Sequence, residues 1–446
     1  MNDERKPTPH QQIALRKILD WWNLPASHPN WKNCVLSAPA GSGKTFIAKY
    51  ATQEMKDVFP IFSATTNEAA RQLGLAGVTV AGTTHSVMGL SPKTDQEIPY
   101  FIQLRVPEGL YDHNLIVVDE ASMAGMATDN NPDLIVDYAE AMSAHRFLWI
   151  GDSYQLPPVE SVNGIAPVFE QSWATATLTD IMRNSGDILE YCTLLRGAID
   201  SNIRRLPRVP KSDCISSINH AQLYSMLRSP DQLENFRTGA TRNIVWRNAT
   251  ADRLNQIIRE GLHGKDATES DLLPTDQILF TSPLMTGSFP SDPDHLIGWK
   301  DAKQGASTNS RAEVIAIVPR ELYGIPCNLV KFRLETSIEV MGFIPTAEGQ
   351  RKLAKLKASF VKSLSSYKSA SAKANKWKWW HAFYSCFGQI KHAYAITTHR
   401  AQGSNIDNVI VDVKDILDCR ESLLAYKLLY TACSRTKKHL TLVREV

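Results

Sequence analysis

The chain lacks the features that would place it in several large classes. It has no C-x-x-C pair: its seven cysteines, at positions 34, 192, 214, 327, 386, 419 and 433, are scattered and odd in number. That pattern excludes a disulfide framework and a clustered zinc site, and it predicts free thiols in a reduced, cytoplasmic setting, the host cytoplasm if the chain is phage-encoded. No apolar run is long enough to span a bilayer, so no membrane partner is expected. The opening Met1-Asn2-Asp3-Glu4-Arg5-Lys6 is polar, and no signal peptide is expected there. A dominant charge is missing too. The 49 Lys and Arg against 46 Asp and Glu leave +3, too little to announce a nucleic-acid binder, although a local basic groove stays open. Internal repeats and low-complexity tails are absent. With 446 residues, 43% of them hydrophobic, the chain has enough material for about two to four domains.

One string stands out against this background: Ala38-Pro39-Ala40-Gly41-Ser42-Gly43-Lys44-Thr45. Cys34–Ser37 before it reads as a buried strand and Phe46–Tyr50 after it as the first turns of a helix. That strand–loop–helix context is what a P-loop needs. Glycines let backbone N–H groups curl around phosphate oxygens at a helix N-terminus, where the dipole favours anions. Ala40, Gly41, Ser42 and Gly43 would line the phosphates of a nucleoside triphosphate, Lys44 would reach the β- and γ-phosphates, and Thr45 would hold Mg²⁺. Ala38 stands where the pattern usually has glycine.

From about residue 11 to 185, short apolar strands alternate with helical patterns, as in a parallel α/β sheet. The expected strands are Cys34–Ser37, Phe59–Ala64, Leu115–Asp119 and Arg146–Gly151, and ligands of such sheets sit at the carboxyl ends of the strands. Asp119-Glu120 follows one of them. An acidic pair there suits Mg²⁺ binding by Asp119 and activation of the attacking water by Glu120. Gly151-Asp152-Ser153-Tyr154-Gln155-Leu156-Pro157-Pro158-Val159 follows another, and Gln155 is placed to contact the γ-phosphate or that water. Between His85 and Asn114 the pattern breaks. Ser91–Gln96 reads as a turn, and Pro99–Ile102 and Leu104–Val106 as an extended excursion.

A second α/β unit begins near Asp187, with a strand at Asn243–Trp246 and a helix at Ala251–Leu262. Residues 263–345 read as Pro/Gly-punctuated strands, including Gln277–Phe280 and Val314–Val318. Arg351–Tyr367 has helical apolar spacing at Leu353, Leu356, Phe360, Val361, Leu364 and Tyr367. From Arg351 through Lys378 there are nine Lys and Arg and no acid. This run is either a solvated helix face or a nucleic-acid contact. Trp377, Trp380, Phe383 and Phe387 sit at helical spacing and read as core. The α/β pattern then resumes to the end.

The P-loop, the Asp-Glu-Ala-Ser string and Gly-Asp-x-x-Gln-Leu-Pro-Pro-Val together resemble motifs I, II and III of superfamily 1 helicases. The resemblance extends over residues 8–436. Thr8–Gln11 looks like the Q motif, with Gln11 reading adenine. Ala64–Ala70 looks like motif Ia and Thr83–Ser86 like motif Ib. Leu178–Arg183 looks like motif IV, with Arg183 as one arginine finger. Tyr394–Ser404 looks like motif V, including Gly403, and Tyr430–Thr436 like motif VI, with Arg435 as the second finger. Arg400 stands where the family usually has lysine, and Cys433 where it varies. Within the superfamily the likeness is to the RecD-like branch.

The resemblance implies an α/β protein with two RecA-like parallel-sheet motor domains. The first would span 1–186, with a pin inserted at about 87–112. The second would span 187–262 and 376–446, and a β-rich, SH3-like insert with a basic helix would span 263–375. It implies catalysis by Lys44, Glu120, Gln155, Arg183 and Arg435, with ATP and Mg²⁺ as cofactors. DNA contacts would fall at Thr66, Asn67, Thr83, His85, Asn248, Thr397, Thr398 and His399, with Phe101 as the pin aromatic. The implied partners are single-stranded and forked DNA, with a single-strand-binding protein or replication and recombination proteins beside them. The implied enzyme is a monomer moving 5′→3′, although motor motifs alone do not encode polarity. A translocase that strips proteins from DNA, or one acting on RNA, is the alternative.

Overall fold

The computed structural model describes residues 6–103, 107–126, 135–158, 161, 164–180, 186–201 and 205–445. Leu104–Val106 and Arg183 therefore lie outside the described residues. Chain contacts separate two units. One comprises Met1–Ser91, Phe101–Ile218 and Ala401–Val446, and the other Pro92–Tyr100 and Asn219–Arg400.

The first unit is built on a six-stranded parallel sheet. Its strands are β1 (Asn33–Ser37), β2 (Pro60–Ala64), β3 (Val80–Thr83), β6 (Leu115–Asp119), β7 (Arg146–Gly151) and β8 (Ala174–Thr177), in the order β3-β2-β6-β7-β1-β8. The numbers β4 (Leu90–Lys93) and β5 (Tyr100–Gln103) belong to a two-stranded ribbon. Residues of β6 and β7 are buried without a break, because helices cover both faces of a parallel sheet. The period of two sorts them: Leu115, Val117, Leu148 and Ile150 enter one core layer with Cys34 and Leu36, while Ile116, Val118, Phe147 and Trp149 enter the other with Val35. Helices α1 (Pro9–Trp22) and α2 (Lys44–Glu54) supply Ile18, Trp21, Ile47 and Ala51 to the first layer. The unit also holds α3 (Asn67–Leu75), α4 (Thr84–Val87) and α5 (Gly186–Asp200). All four expected strands of this sheet are present, one of them starting at Pro60 rather than Phe59 and another at Asn33 rather than Cys34. The unit also carries β9 (Ile215–Ile218), which pairs parallel with a later strand described next.

That strand is Thr436–Val443, and Ile406–Asp412 pairs parallel with it in turn. A long buried helix, Ser422–Cys433, packs against both strands.

The second unit holds β10 (Thr241–Val245), parallel to Ala395–Thr397, and a five-stranded antiparallel sheet. In chain order its strands are β11 (Gln277–Phe280), β12 (Arg311–Leu322), β13 (Ile325–Leu334), β14 (Glu339–Pro345) and β15 (Ile390–His392). The order across the sheet is β14-β13-β12-β11-β15. The expected β-rich region is thus present, and it recruits β15 from well beyond residue 345. Helix α6 (Asn248–His263) replaces the shorter Ala251–Leu262 expected from pattern. The basic run forms α7 (Ala347–Ser363) and α8 (Ala370–Ser385). Trp377, Trp380, Phe383 and Phe387 are buried together, as their spacing predicts. Phe360 of α7 lies 5.0 Å from the rings of both Trp377 and Trp380. All seven cysteines are free.

A buried ionic node fastens α6 to the antiparallel sheet. The Asp276 carboxylate, fully buried, accepts from Arg259 Nε at 3.1 and 3.2 Å, from Tyr394 Oη at 3.1 Å and from Leu273 N at 2.8 Å. His263 Nε2 and His392 Nε2 face it at 3.3 and 3.4 Å. Burial opposes its charge, but His392 and Arg259 win and hold it down at about 2. A depressed carboxylate adds stability above its unfolded value near 4 and loses it as pH falls through about 2, a contribution of roughly 2.5 kcal/mol. Asp276→Asn should cost about 3–5 kcal/mol, because the buried Arg259 loses its counter-charge. A urea melt at neutral pH checks this, and the deficit relative to wild type should shrink in acid.

Candidate active site

The carboxyl ends of β1, β2, β6 and β7 lie on one edge of the parallel sheet, and the chemistry-bearing residues gather there. Gly41 and Gly43 both adopt φ of +83°. At Gly43 a Cβ would sit 2.7 Å from Gln11 Nε2, so only glycine fits this close turn. α2 begins at Lys44, its N-terminal N–H groups facing the cleft. Gln11 is buried against the P-loop: its Nε2 donates to Ser42 O at 3.1 Å and its Oε1 accepts from Thr8 N at 3.1 Å. Its amide is thus committed to the loop and to capping α1.

Lys44 Nζ stands 4.0 Å from Glu120 Oε1. Burial works to lower its pKa, but Glu120, Asp119 and Asp152 outweigh it and raise the value. Asp119 is pushed up to about 6, chiefly by burial, with Lys44 opposing. Glu120 adopts a left-handed backbone, φ 51° and ψ 43°. For a non-glycine residue this conformation costs of the order of 1–3 kcal/mol and marks a site where surrounding structure overrides preference. Here Thr65 Oγ1 donates to Glu120 O at 3.0 Å and Glu120 N donates to Asp119 Oδ1 at 2.8 Å, and the turn aims the carboxylate into the cleft.

Gln155 joins that carboxylate to an arginine. With its amide oriented by its neighbours, Nε2 donates to Glu120 Oε2 at 3.2 Å and Oε1 accepts from Arg435 Nη2 at 2.9 Å. Arg435 is buried and also donates from Nε to Thr431 O at 3.2 Å and from Nη2 to Ser434 Oγ at 3.0 Å. Lys44, Thr45, Asp119, Glu120, Gln155, Gly403 and Arg435 line one cleft.

Sequence reasoning missed a second set of contacts. Asp152 Oδ2 accepts from the P-loop Ala40 N at 3.2 Å and from Tyr430 Oη at 2.6 Å. Lys427 Nζ donates to Ser153 O at 2.8 Å, Leu156 N to Thr431 Oγ1 at 3.2 Å, and Gln402 Nε2 to Leu156 O at 3.1 Å. The 152–156 loop is therefore stitched to both the P-loop and the 427–435 helix end. Burial lowers Lys427 to about 8. The α3 face Ala69, Gln72 and Leu73 also lines the cleft; the motif strings carry no sign of it beyond Ala69.

The residues expected at DNA fall into one group in each unit. In the first, Thr83 caps α4, which carries His85, and the His85 ring lies 4.3 Å from that of Phe101. Phe101 is half-buried on β5 and packs against the second core layer, so the ribbon's tip lies before it, at residues 94–99. Thr66 caps α3, and Asn67 is exposed beside it. In the second unit, Asn248 and Thr397–His399 follow the parallel neighbours β10 and Ala395–Thr397. Thr397 and Thr398 are buried, and Thr398 Oγ1 donates to Val245 O at 3.1 Å; Asn248 is exposed and His399 half-exposed. Arg400 donates to Asn309 Oδ1 at 3.1 Å.

An AAA domain model matches residues 26–208 and a UvrD-like helicase C-terminal domain model matches 392–443. The first span holds Lys44, Asp119, Glu120 and Gln155, the second Gly403 and Arg435, in the order the cleft requires. Both matches support the resemblance to superfamily 1 helicases read from the motifs. Among individual relatives, the ATP-dependent DNA helicase dda of Enterobacteria phage T4 is 24% identical over 432 residues, covering 90% of this chain and 92% of that one. The uncharacterized protein R530 of Acanthamoeba polyphaga mimivirus is 22% identical over 496 residues, covering 96% and 98%. The crystal structure of Pif1 helicase from Candida albicans aligns with 16% identity and a TM-score of 0.48, covering 99% of this chain and 95% of that one.

Proposed function

We propose that the chain is an ATP-dependent DNA helicase that translocates along single-stranded DNA, 5′→3′, and separates duplex strands ahead of it. The observation that carries this reading is the Lys44–Glu120–Gln155–Arg435 arrangement in one cleft, assembled from both ends of the chain. The dda likeness over nine-tenths of the chain supports the DNA substrate, and the 5′→3′ direction is what the resemblance read from the motifs implies.

Phosphoryl transfer is catalysed mainly by positioning and by cations around the transferring group. Lys44 and the P-loop N–H groups would take the β- and γ-phosphates. Thr45 and Asp119 fit a divalent cation: the Thr45 hydroxyl bonds to Asp119, and burial leaves that carboxylate short of positive charge. Mg²⁺ bound there would neutralise phosphate oxygens. Glu120 would accept a proton from the attacking water, oriented jointly with Gln155. Arg435 would stabilise charge on the γ-phosphate, and Gln155 would report its arrival to Glu120. Asp152, held between Ala40 N and Tyr430, would pass P-loop occupancy to the helix that leads into Arg435. Arg183 would supply a second arginine. The motor-domain limits, a monomeric state and work alongside replication or recombination proteins belong to the same reading.

Single-stranded DNA should stimulate ATP hydrolysis strongly and RNA of matched length weakly. Equal stimulation by both would move the reading to the RNA or general translocase alternative. Phe101 tests the pin. Its ring contact with His85, 4.3 Å between centroids, predicts that Phe101→Ala slows unwinding more than single-strand-stimulated ATPase, with a small fall in melting temperature. If it serves packing alone, the truncation costs about 3–5 kcal/mol and all activities fall together.

A further inference from the structure

We propose that Gln402 is a positioning residue for ATP hydrolysis: its side-chain amide holds the backbone at Leu156, directly after Gln155, so that Gln155 keeps Glu120 and Arg435 in register. This deepens the helicase reading and rests on its ATPase centre. Gln402 precedes Gly403, which lines the cleft; Gln402 itself is buried and, among the described residues, not part of that lining. What it does for the reaction must therefore pass through the group it holds. That group is one carbonyl: Gln402 Nε2 donates to Leu156 O at 3.1 Å. The N–H of the same leucine donates to Thr431 Oγ1 at 3.2 Å, and Gln155 N donates to Asp152 O at 3.1 Å. The backbone is thus pinned at and just after the residue whose amide joins Glu120 Oε2, at 3.2 Å, to Arg435 Nη2, at 2.9 Å. Each of those two contacts is a single hydrogen bond. A shift of Gln155 by about 1 Å would break one or both, and misplacement on that scale can cost roughly 10²-fold in rate.

Two observations separate positioning from plain packing. Gln402 Oε1 is buried without a partner among the described residues. A buried acceptor left unpaired costs about as much as one neutral hydrogen bond gains, so this amide adds little net stability while it fixes one carbonyl. The second observation is how its own loop is held. Gly403 adopts φ of +73°, and a Cβ there would lie 3.6 Å from Ala69 N of α3. Asn405 Nδ2 donates to Gln72 Oε1, also on α3, at 3.3 Å. The 402–405 loop therefore rests on α3 on one side and grips the 152–156 loop on the other, and all of these residues belong to the first unit. Gln402 is a fixed point against which the Gln155 backbone is set.

The test compares the full wild-type chain with Gln402→Met, Gln155→Ala, the double variant Gln155→Ala/Gln402→Met, and Thr431→Val. Steady-state ATPase is read with saturating oligo-dT, with single-turnover hydrolysis for the slowest variants, beside binding of a fluorescent nucleotide and the melting temperature. Methionine keeps the length of the side chain and cannot donate to Leu156 O. Gln402→Met should lower kcat by roughly 10- to 100-fold and leave KM for ATP, nucleotide binding and melting temperature near wild type. Because Gln402 acts through Gln155, the double variant should be no slower than Gln155→Ala alone. Thr431→Val removes the acceptor from Leu156 N; it should lower kcat likewise, and it reads the same hold independently of how Gln402→Met folds. Losses that multiply in the double variant, wild-type kcat in Gln402→Met, a rise in KM in place of the fall in kcat, or a Gln155→Ala that loses nothing would each overturn the assignment. A wild-type chain without oligo-dT-stimulated ATPase would overturn the helicase reading, and the assignment with it.

Discussion

Glu120→Gln is expected to stop ATP turnover while leaving nucleotide binding intact. The substitution keeps the size of the side chain and its place beside Gln155 Nε2, 3.2 Å away in the wild-type chain, but removes the basic oxygen. Loss of a positioned general base typically costs about 10²–10⁴-fold. Lys44 loses one of three carboxylates that raise its pKa, and Asp119 and Asp152 remain to hold its charge, so the phosphate site survives. Steady-state ATPase with saturating oligo-dT, set beside binding of a fluorescent nucleotide, reads both halves. Turnover within a few-fold of wild type would remove Glu120 from the role of base.

Arg435→Ala should be at least as damaging. A cation supplied to the transferring phosphoryl group is worth roughly 10³–10⁵ in rate, and Arg435 is placed for it, with Nη2 held between Gln155 Oε1 and Ser434 Oγ. The loss should fall on kcat, because the contact matters most when charge has built up. Arg435→Lys should recover little, since a single ammonium cannot keep Thr431 O, Ser434 Oγ and Gln155 Oε1 together. A loss confined to KM would show that Arg435 binds the nucleotide and does not act in the transfer.

Much of this was legible in the residues. β1, β6 and β7 are continuous apolar runs, and burial on both faces of a parallel sheet demands that pattern. The P-loop and the Asp119–Glu120 pair sit where those runs end, so the first half of the cleft could be placed before any coordinates. Trp377, Trp380, Phe383 and Phe387 were legible as core because a helix repeats every three or four residues. The rest depends on contacts that no local string encodes. Tyr430 and Asp152 are 278 positions apart, and each lies in a recognisable string that says nothing of its partner. The left-handed turn at Glu120 is imposed by Thr65 and Asp119 from outside the residue. β15 is three residues long, too short for an alternation to show, and it joins its sheet only through β11. The resemblance alone names Phe101 as the pin aromatic; its place on β5, one residue in from the strand's start and against the His85 ring, follows from the pairing of β4 with β5.

The central claim is tested most directly by strand separation on partial duplexes carrying a single-stranded tail at one end only, with ATP and Mg²⁺ present. The account predicts ATP-dependent unwinding of the 5′-tailed substrate and little or none of the 3′-tailed one. Unwinding of the 3′-tailed substrate alone would contradict the polarity. Failure to unwind either, while single-stranded DNA still drives ATP hydrolysis, would contradict the helicase and leave a translocase.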